Sequence, residues 1–206
     1  MESKLHLEIL SHQQKKILPQ LSFLKEKGFY LAGGTALALQ IGHRRSIDFD
    51  FYTEKDFDSE KLFAILQKNL PTEMVLSQKA EGTLIVNFSK SQNHLSIFQY
   101  PYKLIKPLLK TNYFNLASLE DIAAMKLLAI LQRGRRRDFV DIYFLIKKFG
   151  MQNIFAMTKE KFLPFNSYSG VLALIYFVDA EERSPLNRLP NMLMSARWSQ
   201  IKKYLI

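Results

Sequence analysis

There is no cysteine anywhere in the 206 residues. That excludes disulfides and thiolate metal sites, and it is compatible with a reducing compartment. Long apolar runs are missing too: none reaches the roughly 18 residues needed to cross a bilayer. The first twenty residues, MESKLHLEILSHQQKKILPQ, interleave charge with Leu and Ile and lack the continuous apolar core of a signal peptide. The expectation is a cytoplasmic protein with no membrane partner. Acidic residues are scarce in the middle of the chain, where residues 61–118 hold only Glu73 and Glu81 against seven Lys and Arg.

What is present fits a globular domain or two intimate halves: 48% hydrophobic and 23% charged residues, in a chain long enough to bury a real core. The net charge is +10. Residues 1–60 carry eight basic and nine acidic side chains, so the positive excess lies beyond them. A basic surface suits a polyanionic partner, nucleic acid first. A lysine-rich solubility surface is the plainer reading of the same charge.

Periodicity divides the chain into a β-rich first part and a helical second part. Apolar positions between Leu5 and Leu24 predict one or two helices broken near Pro19. GFYLAGG reads as a short strand and TALALQIGH as a short helix. SIDFDFY alternates, predicting Ile47, Phe49 and Phe51 on one face and Asp48 and Asp50 on the other. DSEKLFAILQKNL reads as a helix stopped by Pro71. GTLIVNF and HLSIFQY read as strands joined by the polar turn SKSQN. Ser118 and Asp121 form a capping-box pattern at the start of a long helix, Gly134 interrupts it, and a second helix runs to Gly150. YSGVLALIYFV and SARWSQIKKYLI also read as helical.

The stretch LAGGTALALQIGHRRSIDFDFYT carries the chemistry. Gly33 and Gly34 sit where a strand hands over to a helix, which allows backbone amides to approach an anion, and Thr35 offers a hydroxyl to the same anion. A plain tight turn would also use these residues. Asp48 and Asp50, two apart on a strand, lie roughly 6.5–7 Å from each other at Cα and can converge on Mg²⁺ or Mn²⁺, a hard cation that also keeps water and phosphate ligands. A solvated strand face has the same pattern. Together, an anion-binding turn followed by an Asp-x-Asp strand is the layout that holds a metal-bound nucleoside triphosphate.

These residues resemble the DNA polymerase β-like nucleotidyltransferases, and within them the AbiEii/AbiGii toxin family. The carriers are Gly33, Gly34 and Thr35, then His43 and Arg44, then Asp48 and Asp50, with a second block, LEDIAAMKLLAILQRGRRRDFVDIYFL, holding Lys126, Arg133, Arg137, Asp138 and Asp141. The resemblance covers roughly residues 28–182. It implies an α+β fold: a polymerase β-like core with a mixed sheet over residues 1–112, and a helical region over 113–206 that closes the cleft. It further implies metal-dependent transfer of a nucleoside monophosphate from an NTP to an acceptor hydroxyl, in such relatives the 3′ end of tRNA, by the toxin of a pair whose antitoxin is a protein partner.

By that resemblance Asp48 and Asp50 are metal ligands, Gly33, Gly34, Thr35, Lys126 and Arg133 contact the triphosphate, and Arg45, Arg137 and Asp138 support the site. The sequence departs from the superfamily in one respect. The strand HLSIFQY offers Ser96 or Phe98 where a third carboxylate is usual. Two possibilities follow: Asp138 or Asp141, with Asp141 the better candidate, supplies the missing charge from its helix, or the two-metal mechanism is incomplete. The same gap supports a rival reading, a non-catalytic nucleotide- or RNA-binding module on a degraded transferase scaffold. His43 is expected to have a structural or substrate-ordering role, and Arg45 to hold Asp48 or Asp50. Trp198 and the tyrosines read as packing residues rather than base-stacking platforms.

Overall fold

A computed structural model describes residues 5–70, 73–89, 93–184 and 187–206. Pro71 and most of the SKSQN turn lie outside these residues. The N-terminal segment forms α1 (His12–Ile17) and α2 (Ser22–Glu26), joined by a 3-10 turn at Leu18–Leu21. Pro19 sits in the first turn of that 3-10 segment, where its missing N–H costs nothing. Ser11 and Gln14 make a reciprocal capping box that starts α1.

The sheet is built from β1 (Tyr30–Ala32), β2 (Phe49–Thr53), β3 (Met74–Ala80), β4 (Thr83–Phe88), β5 (His94–Gln99), β6 (Leu109–Lys110) and β7 (Asn115–Leu116). Its strand order is β3-β4-β5-β2-β1-β7-β6. The β2–β5 and β1–β7 pairs are parallel and the others antiparallel. This is the mixed sheet of the expected α+β class. α3 (Gly33–Ile41) packs beside β1 and β2, and α4 (Ser59–Asn69) against β3 and β4.

The two faces of the central strands differ. Phe49 and Phe51 of β2, Leu84 and Val86 of β4, and Leu95 and Ile97 of β5 are fully buried in the main core. Burying each such side chain contributes about 1.5–3 kcal/mol. Between them Asp50, Tyr52, Thr83, Ile85 and Phe98 are only half-buried. The register places Ser96 beside Asp50 and Phe98 beside Tyr52, so one sheet face is the core and the other is more open. Ile47 does not join the apolar face: β2 begins at Phe49, and Ile47 is exposed. β3 was not predicted, and its side chains are almost all exposed.

The helical part comprises α5 (Leu119–Arg133), α6 (Arg136–Phe149), α7 (Met151–Lys161), α8 (Ser167–Ile175), α9 (Val178–Glu181) and α10 (Trp198–Leu205). α5 is central, packing on α3, α6, α7 and α8. Ser118 caps α5 by accepting from the Asp121 amide. The Asp121 carboxylate has other work, accepting from the Ile105 and Lys106 amides and from Lys161 Nζ at 2.7 Å, a fully buried ion pair that ties α7 to α5. Near the C-terminus, residues 191–194 clasp the loop after α3. The Arg45 amide donates to Asn191, and the Leu193 and Met194 amides donate to the His43 carbonyl.

Candidate active site

The two adjacent glycines are explained by their neighbours. Gly33 has φ +66°, and a Cβ there would lie 2.8 Å from Asp50 Oδ2. A side chain at this position would strain the backbone and displace the carboxylate. A Cβ on Gly34 would collide with the guanidinium of Arg44. Gly33 thus admits Asp50 and Gly34 admits Arg44. The pairing of Ala32 with Asp50 brings Asp50 to the start of α3, whose N-terminus has no side-chain cap.

Asp48 and Asp50 stand at the end of β2 nearest that helix start. The Asp48 side chain is 22% exposed. Its Oδ2 faces Arg137 Nη1 at 3.5 Å, while Oδ1 is buried with no hydrogen-bond partner among the described residues. Asp50 has its carboxyl raised above the usual range, first by burial and then by the negative charge of Asp48. Lys126, Arg137 and a hydrogen bond from Ser96 act in the opposite direction. An orphaned carboxylate oxygen beside a carboxylate that resists ionisation is a pair short of positive charge. That fits a divalent cation with few protein ligands.

Behind this pair lies a buried charge cluster. Asp141 is inaccessible and takes four donors: Arg44 Nε at 2.7 Å and His43 Nε2 at 2.8 Å on Oδ1, Arg44 Nη2 at 2.8 Å and Lys126 Nζ at 2.7 Å on Oδ2. Burial alone would raise its pKa. The charges of Arg44 and Lys126, with hydrogen bonds from Arg44 and His43, hold it well below the usual carboxylate range. Lys126 also donates to Asp138 Oδ1 at 2.8 Å, and its own pKa is raised: burial opposes the charge, but Asp138 and Asp141 outweigh it. Burial, helped by the charges of Arg44 and Lys126, lowers the pKa of His43 against the pull of Asp141, so the ring is neutral near pH 7 and donates from Nε2.

Several sequence expectations need correction. Asp141 does not form a third ligand beside Asp48 and Asp50; among the described residues no set of three His, Asp or Glu can hold a metal. Thr35 does not face open space: it is buried, and its hydroxyl donates to the Asp48 carbonyl and accepts from the Ser46 hydroxyl at 2.8 Å. It therefore positions the Asp48 backbone. Arg45 is exposed, and Arg137 is the arginine that reaches Asp48. Arg133 is exposed at the end of α5, near enough to Tyr52 to act on its phenol. Lys126 is buried against Asp138 and Asp141, yet near enough to Asp50 to lower its pKa.

Sequence reasoning overlooked Arg44 as the partner of Asp141, although its neighbours in GHRRS and the glycine it needs at position 34 were in plain view. It also overlooked how tightly arginines crowd the α5–α6 turn. Burial, with the adjacent charges of Arg133 and Arg137, lowers the pKa of Arg135. Arg136 is partly committed elsewhere, donating to the Ala180 carbonyl at 3.0 Å and lying 5.0 Å over the Trp198 ring.

A mixed sheet brings an uncapped helix start beside two strand-end carboxylates, with Arg137 on Asp48 and Lys126 close to Asp50, an arrangement suited to a metal-bound phosphate. The sequence matches the family described as nucleotidyl transferase AbiEii toxin, type IV TA system, over residues 17–102 and 99–204, and the chain belongs to that family. It is a nucleotidyltransferase of a toxin–antitoxin family. An uncharacterized protein of Aquifex aeolicus (strain VF5) is 39% identical over 160 residues, 75% of this chain and 76% of its own length. Two Helicobacter pylori structures share the fold. A candidate nucleotidyltransferase superposes with TM-score 0.60 at 20% identity, covering 95% of this chain and 92% of its own. JHP933 does so with TM-score 0.59 at 19% identity, covering 95% and 90%. Family membership speaks against the non-catalytic alternative.

Proposed function

We propose that this enzyme moves a nucleoside monophosphate from an NTP to a hydroxyl of RNA, the 3′ end of tRNA being the preferred acceptor class, with Mg²⁺ or Mn²⁺ held by Asp48 and Asp50. The observation that carries the reading is the pair itself: the unpartnered Asp48 Oδ1 beside the raised carboxyl of Asp50, at an uncapped helix start. When bound, the cation supplies Lewis-acid stabilisation of the phosphoryl charge.

The chain's own residues do the rest. The free amides of the first turn of α3 receive a phosphate oxygen, and Gly33 and Gly34 keep side chains out of the way. Arg137 leaves Asp48 for the triphosphate when the carboxylates gain a cation. Lys126, locked by Asp138 and Asp141, adds fixed positive charge that needs no reorganisation as negative charge builds on the leaving pyrophosphate. Arg44 and His43, gripping Asp141, fix the loop that ends at Asp48. Asp141 is therefore a positioning residue in this account. Ser96 donates to Asp50 from the strand position where a third acid is usual.

The positive excess beyond residue 60 supports an RNA acceptor. The test is incubation with each α-labelled NTP, Mg²⁺ and total RNA. Label in the tRNA band supports the reading. Label on protein, or none with any NTP, overturns it.

A further inference from the structure

The open face of the sheet does not end at the carboxylates. Tyr52 follows Asp50 by two residues on β2 and shares its face. From there the rings run outward in contact. Tyr52 and Tyr100 have centroids 5.2 Å apart, Tyr100 and Tyr102 are at 4.8 Å, and Tyr102 and Phe162 are also at 4.8 Å. Phe98 lies beside Tyr52 at 5.6 Å. Tyr52, Phe98 and Tyr100 are half-buried and Tyr102 is 38% exposed, so the row passes from partly covered rings to the surface.

The row is firmly backed. The Tyr100 amide donates to the Thr53 carbonyl at 2.7 Å. Lys161 Nζ, fixed by its buried pair with Asp121, lies 5.8 Å from the Tyr100 centroid and donates to the Lys103 carbonyl at 2.8 Å. Beside Tyr52 on the paired strand β1, the buried Tyr30 hydroxyl has no hydrogen-bond partner among the described residues. Cations accompany the row: Arg133 acts on Tyr52, and the exposed Lys103 and Lys106 follow Tyr102 in the chain.

We infer that this aromatic row is the stacking surface for the unpaired nucleotides of the RNA acceptor, leading its 3′ end to Asp48 and Asp50. The inference rests on the RNA-acceptor reading above and deepens it. Neutral rings in series with phosphate-reaching cations alongside are the means by which proteins hold single strands with little sequence preference. An incoming NTP offers one base, and a row reaching from the carboxylate strand to the end of α7 is longer than one base requires. The strand therefore owns the outer rings, Tyr100 and Tyr102.

The test is fluorescence anisotropy with a labelled single-stranded hexaribonucleotide, alongside NTP binding by each variant. Tyr102→Ala is expected to weaken hexamer binding about five- to a hundredfold. The salt dependence of binding stays the same because no phosphate contact is lost, and NTP affinity is unaltered. Tyr102→Phe retains the ring and retains binding. Tyr102→Phe should melt with the wild type, while Tyr102→Ala loses ring contacts with Tyr100 and Phe162 and should melt somewhat lower, so binding is measured well below both melting temperatures. Salt-dependent hexamer binding that ignores Tyr102→Ala overturns the stacking surface and leaves the RNA-acceptor reading standing. Weaker NTP binding with unchanged hexamer binding also overturns it, by giving the ring to the incoming base. A wild type that binds no hexamer overturns both.

Discussion

Asp141→Asn separates positioning from chemistry. Asparagine keeps the shape but removes the charge that balances Arg44 and Lys126, and it turns an NH₂ toward at least one of the four donors that Asp141 now accepts. Breaking a buried ion pair by removing one partner costs about 3–5 kcal/mol. For a chain of this size 1 kcal/mol moves the melting temperature by about 2–4 °C, so a drop of about 6–20 °C is expected.

The pH dependence follows from the depressed pKa of Asp141. A carboxyl held lower in the folded state than in the unfolded chain, near 3.9, contributes stability that is fully present above that value and is lost as pH falls through the folded pKa. The stability gap between wild type and Asp141→Asn should therefore be constant near neutrality and narrow in acid. Calorimetric melting across pH measures both. Below its melting temperature the variant should still bind NTP and retain measurable transfer. A variant as stable as the wild type whose transfer falls a hundredfold or more would refute the reasoning and return Asp141 to the chemistry.

Other outcomes follow from the same geometry. Gly33→Ala places a Cβ against Asp50 and forces a left-handed residue, costing roughly 1–2 kcal/mol from the backbone alone; transfer should fall tenfold or more, read as kcat against melting temperature. Lys126→Ala should weaken NTP binding while leaving nucleoside binding unchanged, and should also destabilise the fold because Asp138 and Asp141 lose a partner; calorimetric titration with NTP and with nucleoside tells these apart. Arg135→Glu should weaken RNA binding and flatten its salt dependence with little effect on NTP affinity, because the arginine crowd at the α5–α6 turn loses a member. Filter binding across a salt series checks it.

The features legible in the sequence were those encoded locally. The strand–glycine–helix handover and the Asp-x-Asp alternation lie within some twenty residues and set their own geometry. The Ser118 cap and the two helices around Gly134 were equally local. β3 escaped because a strand with nearly all side chains exposed has no apolar alternation to read. Ile47 misled because alternation alone cannot say where a strand begins. The Asp141 cluster was out of reach for another reason. Arg44 and Asp141 are 97 positions apart, and an acid off the apolar stripe of a helix looks solvent-facing until a second element covers it. Thr35 was read as an anion ligand because its type fits, but only the fold shows that the Asp48 carbonyl already accepts its proton.

The central claim is that Asp48 and Asp50 carry the reaction. Transfer of label from an α-labelled NTP to RNA, measured for wild type, Asp48→Asn and Asp50→Asn at matched folded concentration, tests it most directly. Both variants should lose transfer by about two or more orders of magnitude and keep melting temperatures near or above that of the wild type, because each removes a carboxylate from a pair short of positive charge. RNA labelled at wild-type rates by folded Asp48→Asn or Asp50→Asn would contradict the account.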